Sequence, residues 1–179
     1  MEIMIGVIIV VVIIAFWVIT VSNRFKVLLV KISESESGVD VSLTMRYDTL
    51  MKLMDVVKAY AKHEVEVFEK IVKIREGMSI EEKNACNHSM DDAARGLIAL
   101  AENYPELRSS ENYNQLQGAI VDAEEHLQAA RRVYNMNISA YNQAIVVFPS
   151  SIIAKSGGYG KKIFFEADEI KRADVKIRL

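Results

Sequence analysis

The chain has three histidines and one cysteine, residue types that often bind metals or act as nucleophiles. None of the histidines, His63, His88 and His126, follows a glutamate by three residues. Both the Glu-x-x-His pair of di-iron bundles and the HExxH zinc motif are therefore missing. Cys86 lacks the nearby cluster of cations that activates a thiolate. These residues predict neither a metal site nor a reactive thiol.

Residues 157–162 read Gly-Gly-Tyr-Gly-Lys-Lys, which invites comparison with a phosphate-binding loop. The comparison fails, because Lys155 stands where the motif needs glycine and Lys162 where it needs serine or threonine. We interpret this run as a turn. The sequence thus predicts no enzyme: no catalytic residue, no cofactor and no small-molecule substrate.

Residues 3–23 contain no charged side chain and are almost all apolar. About 20 apolar residues in a helix cross the roughly 30 Å hydrocarbon core of a bilayer, and a single segment in lipid satisfies its backbone only as a helix. We predict that residues 1–23 are a transmembrane anchor, marked by Ile3, Trp17 and Val21, with Trp17 near the interface. A secretory signal has a shorter core, about 7–15 residues, so a retained anchor is favoured over a cleaved signal.

The charges around this segment predict an orientation. Glu2 precedes it and Arg24, Lys26 and Lys31 follow it, so the positive-inside rule favours a single-pass cell-membrane protein with a cytoplasmic C-terminal domain. The whole chain has 22 basic and 24 acidic residues and a net charge of −2, which gives no field that would attract nucleic acid. One cysteine cannot form an internal disulfide, which fits a reducing compartment.

Two later stretches have apolar residues at steps of three and four, the spacing of helices with a narrow, coiled-coil-like seam. They lie in residues 39–76 and 110–148, separated by a shorter helix that a capping box at residues 79–82 begins and Pro105 ends. The predicted fold is all-α: an N-terminal transmembrane helix followed by an antiparallel bundle of long helices. The first stripe is Leu43, Tyr47, Leu50, Met54, Val57 and Ala61, continued by Phe68 and Val72; the second is Tyr113, Leu116, Ile120, Ala123, Leu127, Ala130, Tyr134, Ile138, Tyr141, Ile145 and Phe148.

The remaining segments complete the domain organisation. Residues 24–38 form a juxtamembrane segment, in which the serine- and glutamate-rich run 33–38 is either a hinge or part of a continuous solvated helix. Residues 39–174 form the bundle, with a loop at 149–160 and a short last helix from about 161 to 174. Residues 175–179 are a tail.

Several ordered motifs between residues 23 and 169 resemble those of the LemA family. They are Arg46-Tyr47-Asp48 with Lys58, Tyr60, His63 and Glu64; residues 101–107 with Glu111, Asn112, Tyr113, Leu116 and Gln117; Arg131, Arg132, Tyr134 and Asn135; Tyr141 and Asn142; Phe148 and Pro149; and Phe164, Phe165 and Glu166. The chain departs from the family pattern at Ser22, Glu36 and Met51, where the family usually has tyrosine, tryptophan and proline. The resemblance implies a membrane-anchored helical bundle, typically bacterial, with no established catalytic activity or cofactor.

Polar residues among these motifs form a candidate structural polar seam, made of Arg46, Tyr47, Asp48, Tyr134, Asn135, Tyr141 and Asn142. The two Tyr-Asn pairs are seven residues apart and so share one helix face. Their side chains are expected either to fix the register of facing helices or to line a small recognition groove, and we favour the first role.

If the two long helices are antiparallel, the chain returns to the membrane after residue 148. A candidate membrane-facing set then follows, with apolar residues beside lysines, as in proteins that bind an anionic lipid surface. The alternative is that its hydrophobic members cap the end of the bundle. The set is Ile152, Ile153, Lys161, Lys162, Phe164 and Phe165.

The functional prediction is a non-catalytic helical interaction or scaffold protein tethered to the membrane. Its partners are the lipid bilayer and either other membrane proteins or further copies of itself. The alternative is an accessory or regulatory subunit of a membrane enzyme or protease.

Overall fold

The computed structural model describes residues 1–61 and 77–165. Within these ranges the secondary structure is helical and contains no strand, which confirms the predicted all-α class. The described helices are α1 (Glu2–Lys58), α2 (Ile80–Ala101), α3 (Pro105–Arg108), α4 (Glu111–Val146) and α5 (Ser150–Ser156).

The chain divides into two compact units. Unit 1 comprises Met1–Glu36 and Val133–Ile163, and unit 2 comprises Ser37–Arg132 and Phe164–Leu179. Of unit 2, residues 37–61, 77–132 and 164–165 are described. Helices α1 and α4 contribute residues to both units.

Helix α1 includes the serine- and glutamate-rich run, so residues 33–38 adopt the continuous-helix alternative. Ser35 and Ser42 fit within the helix because their hydroxyls donate to backbone carbonyls one turn back. The prediction that the first long helix extends to residue 76 is wrong at its end. After Lys58 the backbone bonds tighten to the i−3 type, from Ala59 to Val56 and from Tyr60 to Val57, and the helix stops.

Residues 62–76, which include His63, Glu64, Phe68 and Val72 of the sequence patterns, lie outside the described residues.

The predicted capping box at the start of α2 is confirmed. The Ser79 hydroxyl accepts from the Glu82 amide at 3.2 Å, and the Ser79 amide donates to the Glu82 carboxylate at 2.7 Å. Pro105, expected to end this helix, instead occupies the first turn of α3, where a missing N–H costs nothing. The Ser110 hydroxyl accepts from the Tyr113 amide at 3.3 Å and caps α4.

The chain after α4 differs from the prediction. Helix α4 ends at Val146, so Phe148 leaves the stripe and is 76% exposed. The predicted loop 149–160 contains α5, which ends where Gly158 adopts a φ of 70° and the Tyr159 amide donates to the carbonyl of Ala154. This confirms that the glycine-rich run is a turn. Residues 161–165 are not helical, contrary to the predicted last helix; residues 166–174 and the tail 175–179 lie outside the described residues.

The core of unit 2 lies between α1, α2 and α4. Leu50 packs with Met90 and Ala94, and further along both helices Val57 packs in one cluster with Leu97. Residue numbers rise together along α1 and α2, so these two helices run in the same direction. Along α4 they fall, because Ile120 lies against Leu50 and Tyr113 lies in the cluster with Val57, so α4 is antiparallel to both.

Candidate functional site

The most concentrated polar cluster in unit 2 is built around Arg46, which α1 places between two other helices. One guanidinium nitrogen donates to the side-chain oxygen of Asn87, and the other contacts the carboxylate of Asp91, both on α2. The same second nitrogen lies 3.0 Å from an oxygen of Glu124 on α4. One arginine therefore links α1, α2 and α4.

The burial of these charged side chains makes their contacts important for the stability of unit 2. Arg46 is only 4% exposed, and the side chains of Asp91 and Glu124 are 17% and 28% exposed. A cation in this position is stable only because the two carboxylates neutralise it, and they in turn need the cation between them. We call Arg46, Asn87, Asp91 and Glu124 the Arg46 cluster.

A second ion pair lies nearer the start of unit 2. The ammonium group of Lys83, whose side chain is 4% exposed, contacts the Asp40 carboxylate at 2.7 Å. Lys83, Asn87 and Asp91 follow one another at steps of four, so they lie on one face of α2. The two ion pairs together fix the register of α2 on α1.

A groove of about 470 Å³ opens beside the Arg46 cluster. Arg46 lies among its lining residues, and Ile98 and Val121, 38% and 58% exposed, supply apolar surface. Charged side chains of Arg95 and Glu125 also line it. Such a surface suits contact with another protein better than chemistry on a small molecule, because its polar floor is already engaged in ion pairs.

In unit 1, side chains of α4 bond to the backbone of the non-helical chain after α5, at Lys162 and Ile163. The Asn142 amide nitrogen donates to the Lys162 carbonyl at 2.9 Å, and its oxygen accepts from the Lys162 amide at 2.9 Å. The Tyr134 hydroxyl donates to the Ile163 carbonyl at 3.2 Å. Both side chains thus bond to backbone groups that lie outside any helix and would otherwise lack these partners.

We expect Asn142→Ala to release the backbone around Lys162. The variant loses two hydrogen bonds, each worth about 1 kcal/mol net, so local opening becomes at least about tenfold more frequent. Lys161 and Lys162 are exposed, so trypsin reports the change as faster cleavage after either lysine, followed by mass spectrometry.

The matched control is Asn114→Ala, which changes an exposed asparagine of the same helix. Cleavage after Lys161 and Lys162 at the same rate in Asn142→Ala and Asn114→Ala would show that these hydrogen bonds do not hold the backbone there.

Tyr113, Tyr134 and Tyr141 of the α4 stripe are buried, and the pKa is shifted for Tyr113 in unit 2 and for Tyr141 in unit 1. Burial raises the pKa of both phenols because it disfavours the phenolate, and for Tyr141 the neighbouring Tyr159 adds to the increase. Tyr159 also contacts Phe25 of α1, with ring centroids 4.9 Å apart. The rings of Tyr113 and Tyr141 therefore pack as apolar groups, and their hydroxyls stay protonated at neutral pH.

This predicts a stability that falls at alkaline pH. In the unfolded chain these tyrosines ionise near 10.0, below their folded pKa. The stabilisation of the folded protein by the two protonated phenols is therefore complete below about pH 10, and it is lost as the pH rises through their raised folded pKa. We expect Tyr141→Phe to reduce the loss of stability between neutral pH and about pH 11, measured as urea midpoints. A loss as steep as that of the unsubstituted protein would contradict the prediction.

The structure separates the members of the predicted polar seam. Arg46 is buried and Tyr47 half-buried in unit 2, whereas Asp48 is exposed. In unit 1, Tyr134 and Tyr141 are buried, and Asn135 and Asn142 are half-buried. Arg46 makes a contact of the predicted helix-to-helix kind, with Asn87 and Asp91 of α2 and Glu124 of α4.

Sequence reasoning missed the partners of Arg46. The signal was present in α2, where Lys83, Asn87 and Asp91 share one face and that face adjoins the apolar stripe through Met90. Polar residues at helical spacing beside a buried stripe indicate an internal polar network. Glu124 directly follows Ala123 of the α4 stripe and gives the same signal.

The anchor residues lie on an apolar helix surface. Among the described residues, α1 is the one helix long and apolar enough to span a membrane by length and composition, and its most apolar stretch has no buried residue. Ile3 is 84% exposed, and Trp17 and Val21 are half-buried.

Two members of the candidate membrane-facing set have a different environment from the others. Ile153 and Phe165 are buried, at 8% and 1% exposure. Ile152, Lys161, Lys162 and Phe164 are exposed. Membrane contact stays a prediction for the exposed members.

The chemistry-bearing residues remain scattered. His88 is half-buried on α2, His126 is exposed on α4, and Cys86 is buried. Among residues 1–61 and 77–165, no three histidine, cysteine or acidic side chains form a group that could hold a metal ion.

Comparison with known proteins gives a consistent set of relatives. The model of the LemA family matches residues 35–179. Protein LemA of Metamycoplasma hominis is 29% identical over 150 residues, which cover 81% of this chain and 68% of that protein. Magnetosome protein MamQ of Magnetospirillum gryphiswaldense is 29% identical over 69 residues, which cover 38% of this chain and 25% of that protein. Magnetosome protein MamQ 2 of Paramagnetospirillum magneticum is 29% identical over 70 residues, 39% of this chain and 26% of that protein.

Proposed function

This chain belongs to the LemA family, and on that premise we propose that it is a non-catalytic, single-pass membrane protein whose helical bundle binds other proteins. Family membership and the apolar start of α1 are consistent with membrane association. None of the relatives' names specifies an enzyme or a catalytic activity. The proposed location is the cell membrane, with the C-terminal domain in the cytoplasm.

The observation that carries the proposal is the use of buried polar groups. In the described part of the chain, the buried charges of Arg46 and Lys83 are engaged in ion pairs between helices. Asn142 and Tyr134 are likewise engaged with backbone groups. Groups held in this way stabilise a rigid surface, and the groove with Ile98 and Val121 is the apolar part of that surface in unit 2.

Photocrosslinking in native membranes tests the proposal. A photoreactive phenylalanine analogue replaces Val121 in the groove and, as a matched control, Gln115, an exposed residue of the same helix. We expect crosslinked products from position 121 and few from position 115. Products that contain only this chain indicate self-assembly, and one stoichiometric partner indicates a scaffold or, in the alternative, a regulatory subunit. Equal or absent products at both positions would contradict the interaction surface.

Orientation needs a separate experiment, because the natural Cys86 is buried and a poor reporter. Asn112→Cys introduces an exposed thiol at the start of α4, and the unsubstituted chain supplies the background. A membrane-impermeant maleimide should label this thiol only after the cells are opened. Labelling in intact cells would place the domain outside and overturn the cytoplasmic orientation.

A further inference from the structure

Within unit 1, one hydrogen bond joins α1 to α4, and one aromatic contact joins α1 to the chain after α5. The Asn137 side chain donates to the Lys31 carbonyl at 3.2 Å. Phe25 contacts Tyr159, which lies close enough to Tyr141 to influence its ionisation. Lys31 of α1 lies beside Asn137 of α4, whereas Phe25, earlier on α1, lies nearer to Tyr141, later on α4. The two helices are therefore antiparallel in this unit.

This register determines where α4 ends relative to the anchor. Val146 lies nine residues after Asn137, a rise of about 14 Å, and the same distance back along α1 from Lys31 reaches Ser22. Burial agrees, because Trp17, Val21 and Ser22 are half-buried, whereas the other residues from 1 to 24 are exposed. The chain after α4 therefore lies beside the C-terminal end of the apolar stretch.

The side chains at this level are apolar and exposed. Phe148, directly after α4, is 76% exposed, and Ile152 of α5 is 59% exposed. Val147 is exposed as well. We call residues 147–155 the α4–α5 corner. Large apolar side chains grouped on a surface mark an interaction site, and here the continuous neighbouring surface is that of the membrane anchor.

Cationic residues lie within the corner and shortly after it in the chain. Lys155, Lys161 and Lys162 are exposed. The bonds from Asn142 to the Lys162 backbone place Lys162 beside α4 at a point about five residues before the corner. By the pairing of Asn137 with Lys31, this point lies opposite Lys26 on α1. The exposed apolar residues of the corner would thus lie at the edge of the hydrocarbon core, and Lys162 would lie at the depth of the anionic headgroups.

We propose that the α4–α5 corner inserts Phe148 and Ile152 into the membrane interface while Lys155, Lys161 and Lys162 bind anionic lipid headgroups. Unit 1 then has a second contact with the bilayer, beside the anchor. The inference uses the membrane-anchor part of the proposed function and is independent of any protein partner.

Depth-dependent fluorescence tests this contact in the full-length protein. The environment-sensitive dye NBD is attached at Phe148→Cys or Ile152→Cys, with Asn112→Cys in unit 2 as the control. The unsubstituted chain, whose one cysteine is the buried Cys86, is treated with the same dye and gives the background. The protein is reconstituted into phosphatidylcholine vesicles with or without phosphatidylglycerol. Lipids with a quencher near the headgroup report contact, and Trp17, the single tryptophan, reports the anchor independently.

We expect blue-shifted, lipid-quenched emission at positions 148 and 152 and water-like emission at 112. Replacing each of the three lysines with glutamine should lower the local partition about fivefold in vesicles that contain phosphatidylglycerol, and little without it. Water-like emission at 148 and 152 with a quenched Trp17 would overturn this inference and leave the anchor standing. An unquenched Trp17 would overturn the proposed function itself. A blue shift that depends on protein concentration rather than lipid would assign the corner to contact between copies, which also overturns the inference.

Discussion

Arg46→Ala is expected to lower the free energy of unfolding by about 3–5 kcal/mol, because it removes the buried cation that two partly buried carboxylates share. Asp91 and Glu124 both contact the Arg46 guanidinium, and both are less than a third exposed. Without the arginine their negative charges repel one another in a poorly solvated site. Urea denaturation of the full-length protein in detergent, followed by circular dichroism, measures the loss.

A matched control separates the effect of burial from that of charge. Arg95 also forms an ion pair, with Asp92 at 2.7 Å, but both side chains are mostly exposed, at 59% and 78%. Arg95→Ala should cost no more than about 1 kcal/mol. If Arg46→Ala and Arg95→Ala had similar effects, the Arg46 cluster would not hold the three helices together.

Compensating substitutions add a second check. Arg46→Met with Asp91→Asn and Glu124→Gln removes the cation and both negative charges together. We expect this triple variant to be more stable than Arg46→Ala, because no uncompensated charge remains. If the triple variant were as unstable as Arg46→Ala, the loss would come from packing rather than from charge.

The existence and type of the main helices followed from the sequence because burial of one face imposes its period. The stripe residues Leu43, Leu50 and Val57 are buried on α1, and Ala123, Leu127 and Ile138 are buried on α4. The capping box at Ser79 was also predictable, since cap and reciprocal partner are only three residues apart. Both signals are local or periodic.

The sequence predicted less where the structure depends on contacts between distant residues. Helix ends were wrong at Lys58, Pro105 and Val146, because an apolar stripe continues through a turn as readily as through a helix. Residues 161–165 are not helical, and Lys162 and Ile163 among them bond to Asn142 and Tyr134, 20 and 29 residues earlier in the chain. No local pattern in those five residues specifies such a partner.

The candidate site shows the same division. Arg46 could be singled out from its motif, but its partners Asn87 and Asp91 lie 41 and 45 residues away along the chain. Their meeting depends on α1 and α2 running in the same direction, which the sequence did not indicate. The two Tyr-Asn pairs of α4 were predicted from their seven-residue spacing, but the bonds of Tyr134 and Asn142 to backbone groups after α5 were not.

The apolar start of α1 gives the second large effect. We expect Val11→Arg with Ile14→Arg to prevent stable insertion of the segment. On an insertion scale each arginine near the middle of a transmembrane helix costs about 3 kcal/mol, so the pair removes most of the favourable insertion energy of this single segment. Extraction with alkaline carbonate measures the outcome: the unsubstituted protein should stay in the membrane pellet, and the variant should appear in the supernatant or be degraded.

The control makes the same chemical change on the same helix, outside the apolar stretch. Val41→Arg with Met45→Arg replaces two exposed apolar residues of α1 in unit 2, so it should leave the protein in the pellet. Mass spectrometry of the pelleted protein should also recover the peptide that contains Glu2, because a retained anchor keeps its first residues. Release of the unsubstituted protein by carbonate, or a mature chain that begins after residue 23, would show that the apolar segment is not a permanent anchor.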